Sequence, residues 1–350
     1  MGMPNDVVSV YRCLVRPHWK RSQASDKCRR SFWHAALGSV VRCHFGSATL
    51  AYLMLAASFV AGADEPGVIR LTDVTRASGL AFTHTIGDEK MTNIVESTGV
   101  GCAFLDFDRD GWLDIYLVNG QYQADLNDSG PASDLPANQA TDRLFRNRGD
   151  GTFEDVTKSS GILPGGYGMG VTAADFDNDG WCDLYVTNYG PNRLYRNLNG
   201  QSFEEIAERT GVAGSEFSVG AAFFDFNGDR HLDLFVGNYL DYVPGLQSSD
   251  AFPGPTAYEG QVNRLYKNLG NGQFEDVTAD AGLEEFPGHT MGVGTFDFNE
   301  DGFLDLFVAN DAMENFFFEN KGDGTFEENG LLTNLSYGAN GDARGAMGAE

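Results

Sequence analysis

The chain has 350 residues, with 50 acidic side chains against 24 Lys and Arg, and a formal net charge of −26 at pH 7. A surface this acidic repels polyanions, which excludes nucleic acid as a partner and favours cations or basic partners. Beyond residue 63 the imbalance grows, since 48 acids and 16 Lys or Arg remain, for a net charge of −32.

The first 63 residues predict an export signal. Residues 1–47 contain eight Lys or Arg and two acids, and an apolar stretch follows at 48–60. Ala61-Gly-Ala63 then provides a small-residue cleavage site. Because the apolar stretch is short for a membrane span, we expect cleavage and a secreted, periplasmic or extracellular protein with no stable membrane span. An uncleaved membrane anchor is the alternative.

Residues 64–350 are expected to form a repeat domain. Residues 69–80 match 151–162 at the end of the first repeat and predict a lone outer strand. A closed ring of sheets pairs such a strand with inner strands from the other end of the chain, because an open ring leaves edges exposed. The predicted repeats span about 99–162, 168–212, 218–283 and 290–332, and 345–350 matches the start of a further one.

Each repeat contains an acidic loop that predicts a metal site. Hard cations such as Ca²⁺ take six to eight oxygen ligands, and one short loop supplies most of them. We expect the side chains at loop positions 1, 3, 5 and 9 and the carbonyl at position 7 to bind, with Gly at position 6 turning the chain at φ > 0. In position order, the predicted ligands are Asp106, Asp108, Asp110, Trp112 and Asp114 in loop 1; Asp175, Asp177, Asp179, Trp181 and Asp183 in loop 2; Asp225, Asn227, Asp229, His231 and Asp233 in loop 3; and Asp297, Asn299, Asp301, Phe303 and Asp305 in loop 4.

The four loops are not equivalent. Loops 1 and 2 carry four aspartates each, whereas loop 4 has Asn299 at position 3. Loop 3 has Asn227 at position 3 and Arg230 at the glycine position, which makes it the weakest of three to four predicted Ca²⁺ sites. The alternative is that the loops are Asp/Gly-rich turns, which need no metal. An EF-hand is not indicated, because no loop has Glu at position 12.

The segments around each loop predict β-strands. An apolar, β-prone run such as Asp114–Asn119 follows each loop and predicts a buried strand. Further along, segments such as Arg143–Thr157 place a Gly-rich turn between short apolar runs, which predicts a hairpin. Four antiparallel strands per repeat are typical of a propeller blade. The predicted fold is an all-β propeller of about four four-stranded blades, with partial blades at both ends.

Two repeats carry insertions. The first aspartates of successive loops are 69, 50 and 72 residues apart, so the first and third repeats are longer by roughly 20 residues. The extra residues fall between strands two and three, at 121–142 and 239–262, termed inserts 1 and 2. Because insertions on one face of a repeat array often carry specificity, we expect a protein or glycan ligand to contact them. Solvated loops without a partner are the alternative.

The paired motifs resemble those of FG-GAP/VCBS repeat propellers. Over about 69–350, the acidic loops and the Arg-Leu-Tyr-Arg-Asn hairpins are similar to those of the ASPIC/UnbV, cartilage acidic protein-like group. We expect the chain to cover the N-terminal part of such a protein, without the ASPIC/UnbV domain. The resemblance implies an extracellular, calcium-binding, integrin-α-like propeller within a seven-bladed ring, with a role in adhesion or ligand binding.

The sequence does not indicate a catalytic role. It contains no Gly-x-Ser-x-Gly elbow, no His-Glu-x-x-His and no phosphate loop. His289 lies near the expected channel mouth and is the candidate catalytic histidine. Bound metal would keep the loop aspartates ionised, which makes them poor general acids. We therefore predict a binding protein and not an enzyme, with an extracellular polysaccharide lyase or hydrolase as the alternative.

Two cysteines, Cys102 and Cys182, lie beyond the predicted signal at non-equivalent repeat positions. We expect two buried thiols, because free cysteine behaves as a small apolar residue. A disulfide between them is the open alternative.

Overall fold

The computed structural model describes residues 71–127, 141–246 and 252–343, together with 345, 346 and 348. The chain divides into two units, Met1–Val74 and Thr75–Glu350. Of the first unit only residues 71–74 are described, and these are exposed and form no strand. The predicted signal peptide, residues 128–140 of insert 1 and residues 247–251 of insert 2 lie outside the described residues.

Four four-stranded antiparallel sheets, termed blades 1 to 4, form the second unit. This confirms the predicted all-β fold of four-stranded blades. Blade 1 contains β1 (Cys102–Leu105), β2 (Asp114–Leu117), β3 (Arg143–Asn147) and β4 (Phe153–Asp155); blade 2 contains β5 (Gly168–Ala174), β6 (Asp183–Asn188), β7 (Arg193–Asn197) and β8 (Phe203–Glu205). Blade 3 contains β9 (Ser218–Phe224), β10 (Asp233–Asn238), β12 (Arg264–Asn268) and β13 (Phe274–Asp276); blade 4 contains β15 (Thr290–Phe296), β16 (Asp305–Asn310), β17 (Phe316–Asn320) and β18 (Phe326–Glu328).

The remaining elements are short and connect the blades. A two-stranded sheet pairs β11 (Gln261–Val262) in insert 2 with β14 (Pro287–Gly288), which lies before blade 4. The helices α1 (Ala207–Thr210) and α2 (Gly330–Thr333) follow the last strands of blades 2 and 4. The 3₁₀ turns span Val95–Ser97 and Pro255–Ala257.

Within each blade the second strand is the most deeply buried. All six residues of β6 and of β10 are buried, as expected for apolar strands covered on both faces. The registers are equivalent between blades: Tyr185 of β6 lies opposite Thr172 of β5, and Phe235 of β10 lies opposite Ala222 of β9. The local pattern of loop, apolar run and hairpin thus produces the same meander each time.

Aromatic pairs join neighbouring blades. The phenylalanine at loop position 2 of one blade packs on the first phenylalanine of the outer strand of the next. The ring centroids are 6.0 Å apart for Phe107 and Phe203, 5.7 Å for Phe176 and Phe274, and 6.0 Å for Phe226 and Phe326. Burying one such side chain contributes about 2 kcal/mol, so three pairs hold the four blades in sequence.

Glycines allow the innermost strands of adjacent blades to approach closely. A Cβ built on Gly170 of β5 would lie 2.2 Å from the carbonyl oxygen of Val219 in β9. A Cβ on Gly101 would lie 2.6 Å from the Cα of Gly170. Real Cβ atoms cannot approach so near, so a larger residue at either position would push two blades apart.

The two ends of the repeat array differ from the prediction of complete strands. Residues 75–79 form a turn, and the described part of 69–80 contains no strand. A strand exists only where a neighbour satisfies its backbone groups, and repeat similarity alone does not provide one. This segment nevertheless makes the hydrogen bond to the next blade that its counterpart in the first repeat makes. The Ser78 carbonyl accepts a hydrogen bond from the Phe153 amide at 2.8 Å, as that of Ser160 does from the Phe203 amide at 2.7 Å.

The predicted start of a further blade shows the same behaviour. No strand is assigned at residues 345, 346 and 348. The Ala346 amide donates to the Asn310 carbonyl at 3.1 Å, and the aligned Gly168 amide donates to the Asn119 carbonyl at 3.2 Å. The described end of the chain therefore makes the contact that begins a new blade.

Cys102 and Cys182 carry thiols and are not joined by a disulfide. Cys182 is half-buried, and burial raises the pKa of its thiol to about 11, so it is a poor nucleophile at neutral pH. Cys102 is exposed, which makes the expectation of two buried thiols wrong for this residue. The reason is strand alternation, because β1 exposes Cys102 and Phe104 and buries Leu105.

Candidate functional site

The acidic loops join the first and second strands of each blade and share one backbone path. Position 6 has positive φ in all four: 88° at Gly111, 89° at Gly180, 71° at Arg230 and 93° at Gly302. Arg230 therefore adopts the turn that glycine was expected to require, at a cost of about 1 kcal/mol. Position 4 is also left-handed, and sequence reasoning missed it because Arg and Glu occupy that position in loops 1 and 4. Those φ angles are 59° at Arg109, 58° at Asn178, 75° at Gly228 and 60° at Glu300.

The aspartate at position 9 is fully buried in every loop and connects the loop to its blade. In loop 2, Asp183 accepts hydrogen bonds from the Phe176 amide at 3.2 Å and the Asn197 amide at 2.7 Å. Asp114, Asp233 and Asp305 accept the same two bonds. Burial, reinforced by neighbouring carboxylates, raises the pKa of Asp183 to about 8 and that of Asp114 and Asp233 to about 7. Each loop thus concentrates more negative charge than its amides stabilise.

Loops 1 and 2 bring three predicted ligands together. Carboxylate oxygens of Asp106, Asp108 and Asp114 lie within 4.8 Å of one another, and so do those of Asp175, Asp177 and Asp183. Among the described residues, the buried Oδ1 atoms of Asp108 and Asp175 have no hydrogen-bond partner. A buried carboxylate oxygen without a donor is costly unless a cation contacts it. Clustered carboxylate oxygens that lack hydrogen-bond donors fit a hard cation such as Ca²⁺.

Arginines bridge the position 3 and position 5 aspartates of loops 1 and 2, and the position 5 aspartates do not belong to the carboxylate clusters. Arg196 of β7 contacts Asp177 through Nε at 2.6 Å and Asp179 through Nη2 at 3.2 Å. Arg146 of β3 contacts Asp108 at 2.6 Å and lies 3.7 Å from Asp110. The arginine therefore neutralises part of the charge that a metal would neutralise. Sequence reasoning missed this, although each arginine occupies the same place in its hairpin.

Loops 3 and 4 have no cluster of three carboxylates among the described residues. Their position 3 asparagines use the side-chain oxygen internally, since Asn227 accepts from the Asp229 amide at 2.9 Å and Asn299 from the Asp301 amide at 3.0 Å. Asn299 also donates to the Asp301 carboxylate at 3.0 Å. An amide nitrogen facing the loop repels a cation, so loops 3 and 4 fit a metal less well than loops 1 and 2.

The side chain at position 7 packs on the glycine of the hairpin between the third and fourth strands. A Cβ on Gly149 would lie 2.7 Å from Trp112, and a Cβ on Gly200 would lie 2.6 Å from Trp181. His231 and Phe303 take the same place over Gly270 and Gly322. Only the carbonyl of position 7 was assigned a role from the sequence. The recurring glycine three or four residues before the outer strand was the available indication.

In blades 2, 3 and 4 an asparagine at the end of the third strand connects two loops. Asn197 donates from Nδ2 to the Cys182 carbonyl in its own loop at 3.0 Å and to the Phe107 carbonyl in the loop of blade 1 at 2.8 Å. Its Oδ1 accepts from the Gly200 amide at 2.7 Å. Asn268 and Asn320 make the equivalent bonds to the preceding blade. The acidic loops are therefore one hydrogen-bonded row.

The inserts lie at the opposite ends of the strands from the acidic loops, because they connect the second strand to the third. The six residues of β6 separate Asp183 from Tyr189 by about 20 Å. Leu126 of insert 1 and Tyr239, Leu240 and Tyr258 of insert 2 belong to one hydrophobic cluster, with Phe217. The structure thus brings the described parts of both predicted ligand-binding inserts to one face.

Glu96 anchors insert 1 to this face. Its carboxylate is 1% exposed and accepts hydrogen bonds from the Thr92 amide at 2.5 Å and from Nδ2 of Asn127 at 2.6 Å. Asn127 lies in insert 1, so the described part of the insert is held by a buried, fully hydrogen-bonded charge.

A cavity of about 460 Å³ opens on the same face between blades 2 and 3. It is lined by Tyr189, Gly190, Ser215, Phe217, Leu240, Asp241, Tyr242 and Gln261. Four of these residues, Leu240, Asp241, Tyr242 and Gln261, belong to insert 2. The volume lies in the range typical of small-ligand sites.

His289 has a structural environment. It is buried, and its two ring nitrogens each lie 3.2 Å from a backbone carbonyl oxygen, Nδ1 from that of Asp311 and Nε2 from that of Tyr258. Its ring also packs edge-on against Tyr239. These contacts tie insert 2 to blade 4.

Comparison with known proteins gives a family. The model of the FG-GAP-like repeat matches residues 106–186, 175–236, 256–308 and 297–348. The chain belongs to the FG-GAP-like repeat family. Two of the four matches, 106–186 and 175–236, begin at the first aspartate of an acidic loop and end in the second strand of the following blade, so the family repeat spans the inter-blade contacts described above.

Other comparisons add little to this assignment. No curated protein matches the chain. One similar solved structure is an Agrocybe aegerita lectin described for specific recognition of non-reducing terminal N-acetylglucosamine; it is 16% identical, with a TM-score of 0.33 over 65% of this chain and 64% of the lectin chain. Among the described residues, no helix has both the length and the apolar character to cross a membrane.

Proposed function

We propose that this FG-GAP-like repeat chain is a calcium-stabilised recognition module that binds an extracellular ligand through its insert face. The observation that carries the proposal is that the described parts of both inserts belong to one hydrophobic cluster, which lies beside a cavity. Loops that extend from a rigid repeat scaffold and meet at one place are the usual setting for specific binding.

The proposed role of Ca²⁺ is structural. Asp106, Asp108 and Asp114 in loop 1, and their counterparts Asp175, Asp177 and Asp183 in loop 2, would hold it together with the position 7 carbonyls. When bound, the ion supplies positive charge to the clustered carboxylates and rigidity to the turn between the first two strands. The distance of about 20 Å from these loops to the insert face supports a role in stability and not in direct ligand contact. Sites in loops 3 and 4 are weaker proposals, because position 3 is a neutral asparagine there and no three carboxylates of these loops cluster among the described residues.

The proposal assigns the chain no catalytic activity. His289, the candidate base, is buried with both ring nitrogens beside carbonyl oxygens, which supports a packing role. Each aspartate at loop position 9 accepts hydrogen bonds from two backbone amides, which supports a structural role and not proton exchange with a substrate.

We also propose the finer assignments that the motifs suggested: export by the N-terminal signal, a role in adhesion, membership of the ASPIC/UnbV group, and a place within a seven-bladed ring. The paired loop and hairpin motifs support these, as does the contact from Ala346 to Asn310 that begins a further blade.

The test is capture of ligands from arrays of glycans and of extracellular proteins by the full chain in millimolar Ca²⁺. The double variant Val243→Asp/Leu246→Asp alters exposed apolar residues of insert 2. The matched control, Leu198→Asp/Leu269→Asp, alters exposed apolar residues at the ends of β7 and β12, near the acidic loops. Binding should be lost in the first variant and kept in the control. Equal binding by both variants, or loss in the control alone, would contradict the proposal.

A further inference from the structure

We infer that the cavity between blades 2 and 3 binds an organic cation, a guanidinium or alkylammonium group. The inference rests on the proposed function, because it names the ligand chemistry at the same face. It is carried by the arrangement of aromatic rings in the cavity, by the carboxylates around it and by the hydrogen bonds of Gln261.

The cavity has aromatic walls set at large angles to one another. Tyr189 lies 5.3 Å from Phe217 with the rings at 88°, and 6.2 Å from Tyr242 with the rings at 76°. Phe217 and Leu240 are buried in the lining, while Tyr189 and Tyr242 are half-buried. Perpendicular ring faces around a small cavity are how proteins hold ammonium and guanidinium groups, since each face carries negative charge density.

The charge around the cavity has one sign. Asp241 lies exposed in the lining, and neighbouring Glu259 of the same insert is also exposed. Asp125 of insert 1 acts electrostatically on the Tyr189 hydroxyl. No Lys, Arg or His is among the residues that line the cavity. A cation entering between the tyrosines would therefore meet negative potential from both inserts, whereas an anionic ligand would be repelled.

The hydrogen bonds of Gln261 argue against a neutral saccharide. Its Oε1 accepts from the Phe217 amide at 2.9 Å, and its Nε2 donates to Oδ1 of Asp241 at 2.7 Å. The lining amide best suited to sugar hydroxyls is thus already engaged with the protein at both ends. The same contacts fix the orientation of Asp241 beside Tyr242, which is the placement that a cation needs.

The experiment is ligand-detected NMR with the full chain, which measures weak binding directly. The probes are choline with its neutral isostere 3,3-dimethylbutanol, and Nα-acetylarginine methylamide with its neutral citrulline counterpart. We expect millimolar dissociation constants for the cations, at least about 5-fold tighter than for the neutral isosteres. A third arm presents arginine in a short basic peptide; binding of the peptide well above that of free arginine would identify a protein-borne cation.

Three variants connect the binding to the cavity. Tyr242→Leu removes one ring and Asp241→Asn removes the charge while keeping an acceptor for Gln261; each should weaken cation binding about 3- to 10-fold. Tyr337→Leu is the control, because Tyr337 is exposed and is not among the residues that line the cavity. It should bind as the wild type does.

Several results would overturn the inference. Equal binding of the charged and neutral isosteres would refute it, as would methyl glycosides that bind in the cavity when the cations do not. So would no binding of any probe up to about 50 mM, a concentration at which interactions of this strength are detectable. If the cations do not bind while the Val243→Asp/Leu246→Asp variant loses a captured partner, the proposed recognition function is retained and only the inference of a cationic ligand is refuted.

Discussion

Asp142 offers a direct test of how the blades are stabilised, because it stands where the other blades have asparagine. Its Oδ1 accepts from the Asn119 amide at 2.8 Å and its Oδ2 accepts from the Tyr116 hydroxyl at 2.9 Å. In blades 2, 3 and 4 the amide of the last second-strand residue donates instead to Asn192, Asn263 and Asn315. Blade 1 therefore pairs a buried carboxylate with a tyrosine, and blade 2 pairs an amide with the equivalent Tyr185. The substitution to make is Asp142→Asn.

The magnitude follows from the environment of Asp142. Burial raises the pKa of its carboxyl from 3.8 to about 6, although the Asn119 amide, the Tyr116 hydroxyl and Arg193 oppose that rise. Because the folded state holds the proton to higher pH than the unfolded state, this contribution to stability is complete below about pH 4. It is lost as the pH rises to about 6. The difference of about two pKa units corresponds to about 3 kcal/mol of lost stability at neutral pH.

Asparagine does not ionise, and it can accept from the Asn119 amide and donate to the Tyr116 oxygen. The variant Asp142→Asn should therefore be more stable than the wild type by up to about 3 kcal/mol at pH 7 and by almost nothing at pH 4. The assay is urea unfolding of both proteins at several pH values between 4 and 7 in EDTA. The difference between the two proteins cancels the titration of the acidic loops.

The reverse substitution in blade 2 is the matched control. Asn192→Asp should lower stability at pH 7 and introduce the pH dependence that blade 1 has. The reasoning would be refuted if Asp142→Asn gave the same gain at pH 4 as at pH 7, or if it destabilised the protein at pH 7. An equal gain at both pH values would mean that the charge of Asp142 is not its cause. Destabilisation at pH 7 would mean that the Tyr116 hydrogen bond to a charged acceptor outweighs the burial of that charge.

Three further outcomes are expected from the acidic loops and their supports. The melting temperature of the full chain should rise in Ca²⁺ and not in equal Mg²⁺, with a gain in unfolding free energy of about 1.4 kcal/mol per occupied site at tenfold excess over Kd. Asp175→Ala should reduce this gain. An unchanged melting temperature of a folded chain would mean that the loops are turns only. Arg196→Gln should lower stability in EDTA yet raise Ca²⁺ affinity, measured by isothermal titration, because the guanidinium competes for Asp177; unchanged affinity would contradict that competition. Gly200→Ala should lower the unfolding free energy measured in urea by about 2–4 kcal/mol, since the φ of Gly200 is 72° and a Cβ would lie 2.6 Å from Trp181. The control Gly190→Ala, at φ 97° with nothing within 4 Å of a Cβ, should lower it by only about 1–2 kcal/mol. Equal losses in the two variants would exclude the contact with Trp181 as the cause.

Much of the candidate site could be predicted because its parts are local. The nine residues of an acidic loop, the strand after it and the hairpin beyond are each specified by neighbours in the chain, and repetition four times confirms the pattern. The positive φ at position 6 follows from glycine in three loops. Even so, Arg230 adopts that conformation without glycine, because hydrogen bonds such as that from its own amide to Asp225 stabilise the turn.

Contacts between distant residues could not be predicted in this way. Nothing near Asp179 in the sequence indicates that Arg196, on a different strand, would contact it. Nor does the sequence around Asn197 indicate its bond to Phe107, 90 residues earlier in the chain. These depend on the register of strands and the spacing of blades, which form only when the sheets pack.

The amino-acid sequence by itself determined the repeat, the four-stranded blade and the acidic loops, since these arise from short-range turn chemistry and alternating apolar residues. Only the tertiary structure decided that the two inserts share one face, that the cavity between Tyr189 and Tyr242 exists there, and that residues 71–74 form no strand. The physical reason is the same in each case. A strand or a cavity needs a neighbour from elsewhere in the chain, and packing, not local propensity, supplies it.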